Sequence, residues 1–188
     1  MKITTFITSL IFLCAGMCCP PEEDRNYESF EFNTPGLIEI QNEGNVFSQG
    51  DTLWVKSVIP NTLPHEDGEQ IDIQELREDS ETAYLSLNLY LENSFSQPSP
   101  IVLSEDELFS TTGSIAYKYN IEVTAVEVDN QIQTEFGIVL KEKGNYFLGS
   151  AYLQNPLSFY LNTTNYNNIT IITNFANQDS DQFQFSVE

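Results

Sequence analysis

The 188-residue chain carries one histidine, three cysteines, two methionines and seven lysines and arginines together. Each scarcity removes a class of chemistry. A single imidazole, His65, cannot build a histidine-rich zinc site, and no cysteine beyond residue 19 is there to supply thiolates. A disulfide framework needs cysteine pairs spread through the fold, so none is expected. Seven cations against 28 acids give a formal net charge of −21. Phosphate backbones are bound by neutralising them, so nucleic acid is excluded as a partner. Electrostatic docking on anionic lipid headgroups is excluded for the same reason. No cofactor, catalytic residue or metal ligand is assigned. What the chain does have is hydrophobic content of 40 %, with thirteen Phe, nine Tyr and one Trp. That is enough to bury a core, and the length points to one domain with appendages.

All three cysteines crowd the N-terminus. Met1-Lys2 leads an apolar run, Ile3 to Leu13, followed by Cys14-Ala15-Gly16-Met17-Cys18-Cys19. One positive charge, a short apolar stretch and then small residues are the layout of a secretory signal peptide. The run is too short to span a bilayer core, which needs roughly 20 apolar residues. Pro20-Pro21 and the acidic Glu22-Glu23-Asp24 follow at once. Two adjacent thiols beside such a tail have no distant partner, and a vicinal disulfide is strained. Alkylation of one of them explains the pair better.

Here the chain resembles bacterial lipoproteins, whose signal ends in an aliphatic residue, two small residues and the acceptor cysteine. The resemblance implies lipid attachment at Cys19 or Cys18. Gly16-Met17-Cys18 precedes Cys19, and Ala15-Gly16-Met17 precedes Cys18, where Met17 is bulky for the position before the cut. The rival is ordinary cleavage after Gly16, which would release a soluble protein with two exposed thiols. A mature lipoprotein carries two or three acyl chains, and that makes anchoring stable where one chain would not. The expected division is a lipoprotein signal peptide over 1–18, an acidic tether over 19–35 and a β-sandwich domain over 36–188. In surface lipoproteins of Bacteroidota, which the chain resembles, an acidic run after the lipidated cysteine serves as an export signal, and Glu22-Glu23-Asp24 is similar to it. The expected address is the outer membrane, on its periplasmic or cell-surface side.

From residue 36 the hydrophobic period is two. Ala83, Leu85, Leu87, Leu89 and Leu91 alternate with Tyr84, Ser86, Asn88, Tyr90 and Glu92. Ile115 to Ala125 alternates as well, and the phase shift at Val126 predicts a β-bulge near Ala125-Val126. Asp129-Asn130 is a two-residue turn leading to a return strand over Ile132 to Leu140. Lys141-Glu142-Lys143-Gly144 is expected to close a second hairpin, with Gly144 left-handed and Tyr146 to Leu153 the third strand of a meander. Ile169 to Thr173 and Phe183 to Val187 supply the last strands, joined by the polar turn Asn177 to Asp181. Leu37 to Ile40, Thr52 to Ile59 and Gln70 to Ile73 read as shorter strands, and Ser104-Glu105-Asp106-Glu107 as a capping box opening a helical turn. About nine strands with regular turns predict an all-β fold, an antiparallel β-sandwich of Greek-key type, with a closed barrel as the alternative.

Val46 to Pro60, with its Gly50-Asp51-Thr52 turn, is similar to an early strand of the immunoglobulin-like sandwich in small Bacteroidota lipoproteins. Lys143 to Phe147 and Phe183 to Val187 extend that resemblance. It implies an immunoglobulin-like body and carries no catalytic residues.

Candidate sites are few. His65 lies in the acidic loop Pro64 to Gly68 and is expected to be solvent-exposed. Asp179-Ser180-Asp181, Glu66 to Glu69 and Glu78 to Glu81 are oxygen-rich loops, yet none has the calcium-binding spacing of a helix–loop–helix hand. Tyr84 and Tyr90 lie on the non-core face of their strand and form the candidate ligand platform, although six residues at about 3.3 Å each put them roughly 20 Å apart. Trp54, between Leu53 and Val55, is expected in the core. The expected function is a non-catalytic, lipid-anchored envelope protein acting as a structural or interaction module. Its partners would be the membrane through the anchor, and envelope proteins or glycans. A secreted carbohydrate-binding domain and a hydrolase with an unrecognised carboxylate pair are the alternatives.

Overall fold

A computed structural model describes residues 28–65, 67–77, 80–92, 98–163 and 167–188. Cys14, Cys18, Cys19 and the Glu22-Glu23-Asp24 run lie outside the described residues. The strands are β1 (Ser29–Asn33), β2 (Ile38–Ile40), β3 (Val46–Phe47), β4 (Thr52–Ile59), β5 (Thr62–Pro64), β6 (Gln70–Asp72), β7 (Thr82–Glu92), β8 (Pro98–Pro100), β9 (Leu108–Thr112), β10 (Ser114–Tyr117), β11 (Ile121–Val128), β12 (Gln131–Val139), β13 (Gly144–Ser150), β14 (Leu157–Asn162), β15 (Asn168–Thr173) and β16 (Gln182–Val187). One short helix, α1 (Ile73–Arg77), follows β6.

The protein is an antiparallel β-sandwich, as the period-two patterning requires. Fourteen of the described strands join one curled hydrogen-bonded network running β1-β15-β14-β7-β11-β12-β4-β2, while β5 and β6 form a separate pair. β7 explains the curl. Along its first half it lies between β11 and β14, and along its second half between β8 and β13. β13 then carries β16 and β3. The inward side chains meet in one core that includes Phe32, Phe136, Phe159, Phe175 and Phe183, all 2 % exposed or less. β4 shows the pattern plainly: Leu53, Val55, Ser57 and Ile59 are buried and their alternates are not.

Several local expectations change. Ile115 to Ala125, expected as one strand, forms the hairpin β10–β11. No bulge occurs at Ala125-Val126, because β11 runs in unbroken register against β7 from Ile121↔Leu87 to Val126↔Thr82. The register shift falls instead between Glu135 and Phe136, where β12 meets β9. β9 and β10 are one segment, broken at Gly113, that fills the wedge where β11 parts from β12. Asp129 and Asn130 form the expected turn with φ of 50° and 65°.

β12 and β13 do not pair. The chain crosses over, and β13 joins β7 and β16, so Lys141–Gly144 closes no hairpin. Gly144 does take a positive φ, 155°, where L side chains are strained, but it opens β13 rather than closing a hairpin. β15 and β16 also lie apart in the sheet, on β1 and β14 and on β13 and β3 respectively. Leu157–Asn162 forms a further strand that was not expected. The turn at Ser104 is a single 3-10 turn, Glu105–Glu107, after which the chain enters β9. Residues 29–33, inside the segment expected as tether, form β1 in parallel register with β15, and Phe32 is fully buried there.

Candidate functional site

The site is built by register. β14 meets β7 at Phe159↔Leu85 and Tyr160↔Tyr84. Phe159 and Leu85 enter the core, so the pleat turns Tyr84 and Tyr160 outward, 45 % and 48 % exposed. Directly opposed residues have Cβ atoms about 4.5–5.5 Å apart, so the two tyrosines leave the sheet from neighbouring positions. The row continues in both directions. Thr124 of β11 opposes Tyr84, and Ser114 of β10 opposes Thr124. Thr170 of β15 opposes Tyr160, and Glu31 of β1 opposes Thr170. Six strands thus present Ser114, Thr124, Tyr84, Tyr160, Thr170 and Glu31 in one line. At about 4.8 Å between strands the line is roughly 24 Å long.

The centre of this row is uncharged. Thr82 and Ser86 flank Tyr84 on β7, and Thr82 Oγ1 donates to the Tyr84 hydroxyl at 3.4 Å. Thr170 and Ile172 are the partly buried outward residues beside Tyr160 on β15. Acids stand close to it: Glu31 ends the row on β1, and Glu122 of β11 directly opposes Ser86, its carboxylate held by Lys118 Nζ at 2.8 Å. On a chain of charge −21, the five residues of the row from Ser114 to Thr170 are uncharged phenols and hydroxyls.

Tyr90 does not join it. The side chain does leave the core face of β7, but the chain after β13 folds over it, and the residue is 3 % exposed. Its hydroxyl donates to the carbonyls of Ser150 and Ala151, at 2.9 and 3.2 Å, and its ring stacks on Phe147 with centroids 4.7 Å apart. The platform residue beside Tyr84 is Tyr160. Its strand was legible in the alternation of Leu157, Phe159 and Leu161 with Ser158 and Tyr160. Trp54 is likewise not in the core. It sits half-buried on the outer face of β4, edge-on to Phe109 at 5.0 Å between centroids.

His65 is half-buried, with Nδ1 3.2 Å from Asp67 Oδ1 and its ring edge-on to Phe32. The Asp67 carboxyl is held below its ordinary value by the Glu69 backbone N–H and then by His65. Among the described residues no group of three or more His, Cys, Asp or Glu side chains is placed to hold a metal ion. Glu66, Glu78 and Asp79 lie outside the described residues. Asp179 Oδ1 accepts from Asn174 Nδ2 at 2.9 Å.

A cavity of about 400 Å³ opens between β7 and the end of β12, lined by Leu89, Ile101, Val139, Lys141, Glu107 and Tyr146 among others. Two of its charged groups, Glu107 and Lys141, are engaged with neighbours. Glu107 accepts from the Ser104 N–H at 2.6 Å, while Lys141 Nζ lies 3.0 Å from Asp106 and 3.6 Å from Glu107.

No protein-family profile matches the sequence, and no curated protein matches it. Among solved structures the chain is similar to a non-cellulosomal cohesin from the hyperthermophilic archaeon Archaeoglobus fulgidus, at 12 % identity and a TM-score of 0.39, over 82 % of this chain and 92 % of that one. It is also similar to the human F-spondin reeler domain (fragment 1), at 9 % identity and a TM-score of 0.38, over 90 % of this chain and 100 % of that one.

Proposed function

We propose that the protein is a lipid-anchored, extracytoplasmic binding module of the cell envelope that works without catalysis and recognises its partner on the outer face of β7 and β14. The observation that carries the binding role is the contrast between that largely uncharged tyrosine row and the acidity of the chain. Elsewhere the acids keep the protein soluble and repel like-charged neighbours. The anchor is supported by the sequence of Met1 to Cys19, where every cysteine of the chain sits behind a short apolar run. Two or three acyl chains on Cys19 or Cys18 would hold the domain at the outer membrane.

The test is metabolic labelling of cells with a palmitate analogue, comparing wild type with Cys18→Ala, Cys19→Ala and the double variant. Label in the wild type that is lost in one single variant and in the double supports the anchor and names the acceptor. An unlabelled wild type, with mature protein free in the medium, overturns it.

A further inference from the structure

We infer that the tyrosine row binds a neutral oligosaccharide laid across the strands. The inference rests on the binding role proposed above and names its ligand class. Four observations lead to it. First, Tyr84 and Tyr160 are adjacent in register and half-exposed, placing two aromatic side chains next to each other on one outer sheet face. Sugar rings present C–H faces that stack on such aromatic surface, while their hydroxyls need polar partners beside the stack. Second, those partners are present: Thr82, Ser86, Thr124 and Thr170 surround the pair and are all partly exposed. Hydroxyls both donate and accept, which suits ligands that do the same.

Third, five of the six residues of the row are uncharged in a chain of charge −21, Glu31 at its end is an acid, and Glu122 beside it is paired with Lys118. Uronate- or sulfate-bearing polymers would meet repulsion from Glu31, Glu122 and the wider surface. An uncharged chain meets none. Fourth, the shape is open and elongated, roughly 24 Å over six strands. Small molecules are usually enclosed in clefts that bury most of their surface, whereas an extended polymer fits an open row.

The experiment uses the purified full chain, titrated calorimetrically with neutral hexaoses (cellohexaose, laminarihexaose, maltohexaose and mannohexaose) and with polygalacturonate as the charged control. At least one neutral hexaose is expected to bind, and polygalacturonate is not. Tyr84→Ala and Tyr160→Ala should each weaken binding about tenfold or more, a loss of about 1.4 kcal/mol. Tyr84→Phe and Tyr160→Phe keep the ring and should largely restore it. Tyr119→Ala, at a residue 93 % exposed and off the row, should change nothing. An unchanged circular-dichroism melt in each variant keeps the comparison one of folded proteins.

Absence of binding to every neutral hexaose overturns the inference, and so does binding of polygalacturonate alone. A concentration-dependent dimer abolished by either tyrosine variant also overturns it, because the face would then serve a second copy of the chain. The palmitate label is independent of all these readouts. A labelled protein that ignores sugars sinks the ligand class and leaves the anchored module standing. An unlabelled protein that binds sugars does the reverse.

Discussion

Arg77, at the end of α1, donates through Nη2 to Glu127 Oε2 on β11 across 2.7 Å, with only 5 % of the arginine side chain exposed. Its other terminal nitrogen donates to the Ser80 carbonyl at 2.8 Å. One guanidinium therefore ties the short helix to the chain entering β7 and to the strand beside it.

Removing that side chain is expected to destabilise the fold. Arg77→Ala strands the Ser80 carbonyl and leaves Glu127 without its cation, so the loss should be about 1.5–3 kcal/mol, the range for hydrogen bonds to charged groups. Glu127 keeps partial access to water, which puts the loss toward the lower end. Glu127→Gln retains an acceptor of the same shape and should cost less. Urea midpoints at an unchanged slope check both.

Two glycines should respond differently to the same methyl group. Gly113 has φ of +76°, and a Cβ there would overlap the carbonyl oxygen of Thr124. That is backbone, fixed by the β10–β11 register. Gly113→Ala is expected to cost at least about 1–3 kcal/mol from backbone strain alone, with the collision in addition. Gly137 faces side chains instead, and its Cβ would lie 2.7 Å from Phe109 Cζ and 2.8 Å from Thr52 Cγ2. Phe109 is 38 % exposed and can swing outward. Gly137→Ala should therefore cost about 1 kcal/mol, the scale of one aromatic pair. Trp54 is the only tryptophan, so the loss of its contact with Phe109 should also appear as a fluorescence shift.

These elements also separate what sequence can specify from what it cannot. β4 is legible as Thr52–Ile59 because one face is buried and the other is not, so alternation marks every residue. The outward placement of Tyr84 follows in the same way. Its partnership with Tyr160 does not. The two are 76 positions apart, and their meeting depends on β14 pairing with the first half of β7 while β13 takes the second. Local patterning carries no information about that division. The covering of Tyr90 is hidden for the same reason, since the residues that close over it are Ser150, the last of β13, and Ala151, the first after it. α1 is missed because five residues offer too little length for a 3.6-residue period to differ from the strand before it.

Tyr90 offers a test of stability without a change in binding. Tyr90→Phe deletes the donor to the Ser150 and Ala151 carbonyls but keeps the stack on Phe147. The expected loss is about 1 kcal/mol, seen as a lower melting temperature. Affinity at the Tyr84–Tyr160 row should stay at the wild-type value, because Tyr90 is covered.

The Asp106–Lys141 contact at 3.0 Å sets a pH signature at the mouth of the cavity. The Ser104 side chain and then the Lys141 ammonium hold the Asp106 carboxyl below its ordinary value of 3.8. A carboxyl whose folded value is lowered stabilises the fold above its unfolded value. That contribution fades as pH falls through the folded one. Lys141 shifts the other way, raised from 10.5 first by its hydrogen bond to Asp106. Its contribution is complete below 10.5 and is lost as pH rises through the higher folded value. The stability difference between wild type and Asp106→Asn should therefore be flat across the neutral range, shrink to nothing below the lowered carboxyl value, and shrink again in strong alkali. Both groups face solvent, so 1 M salt should flatten the whole profile. Denaturant titrations at a series of pH values, with and without salt, would show it, and a difference that grows on acidification would contradict the assignment.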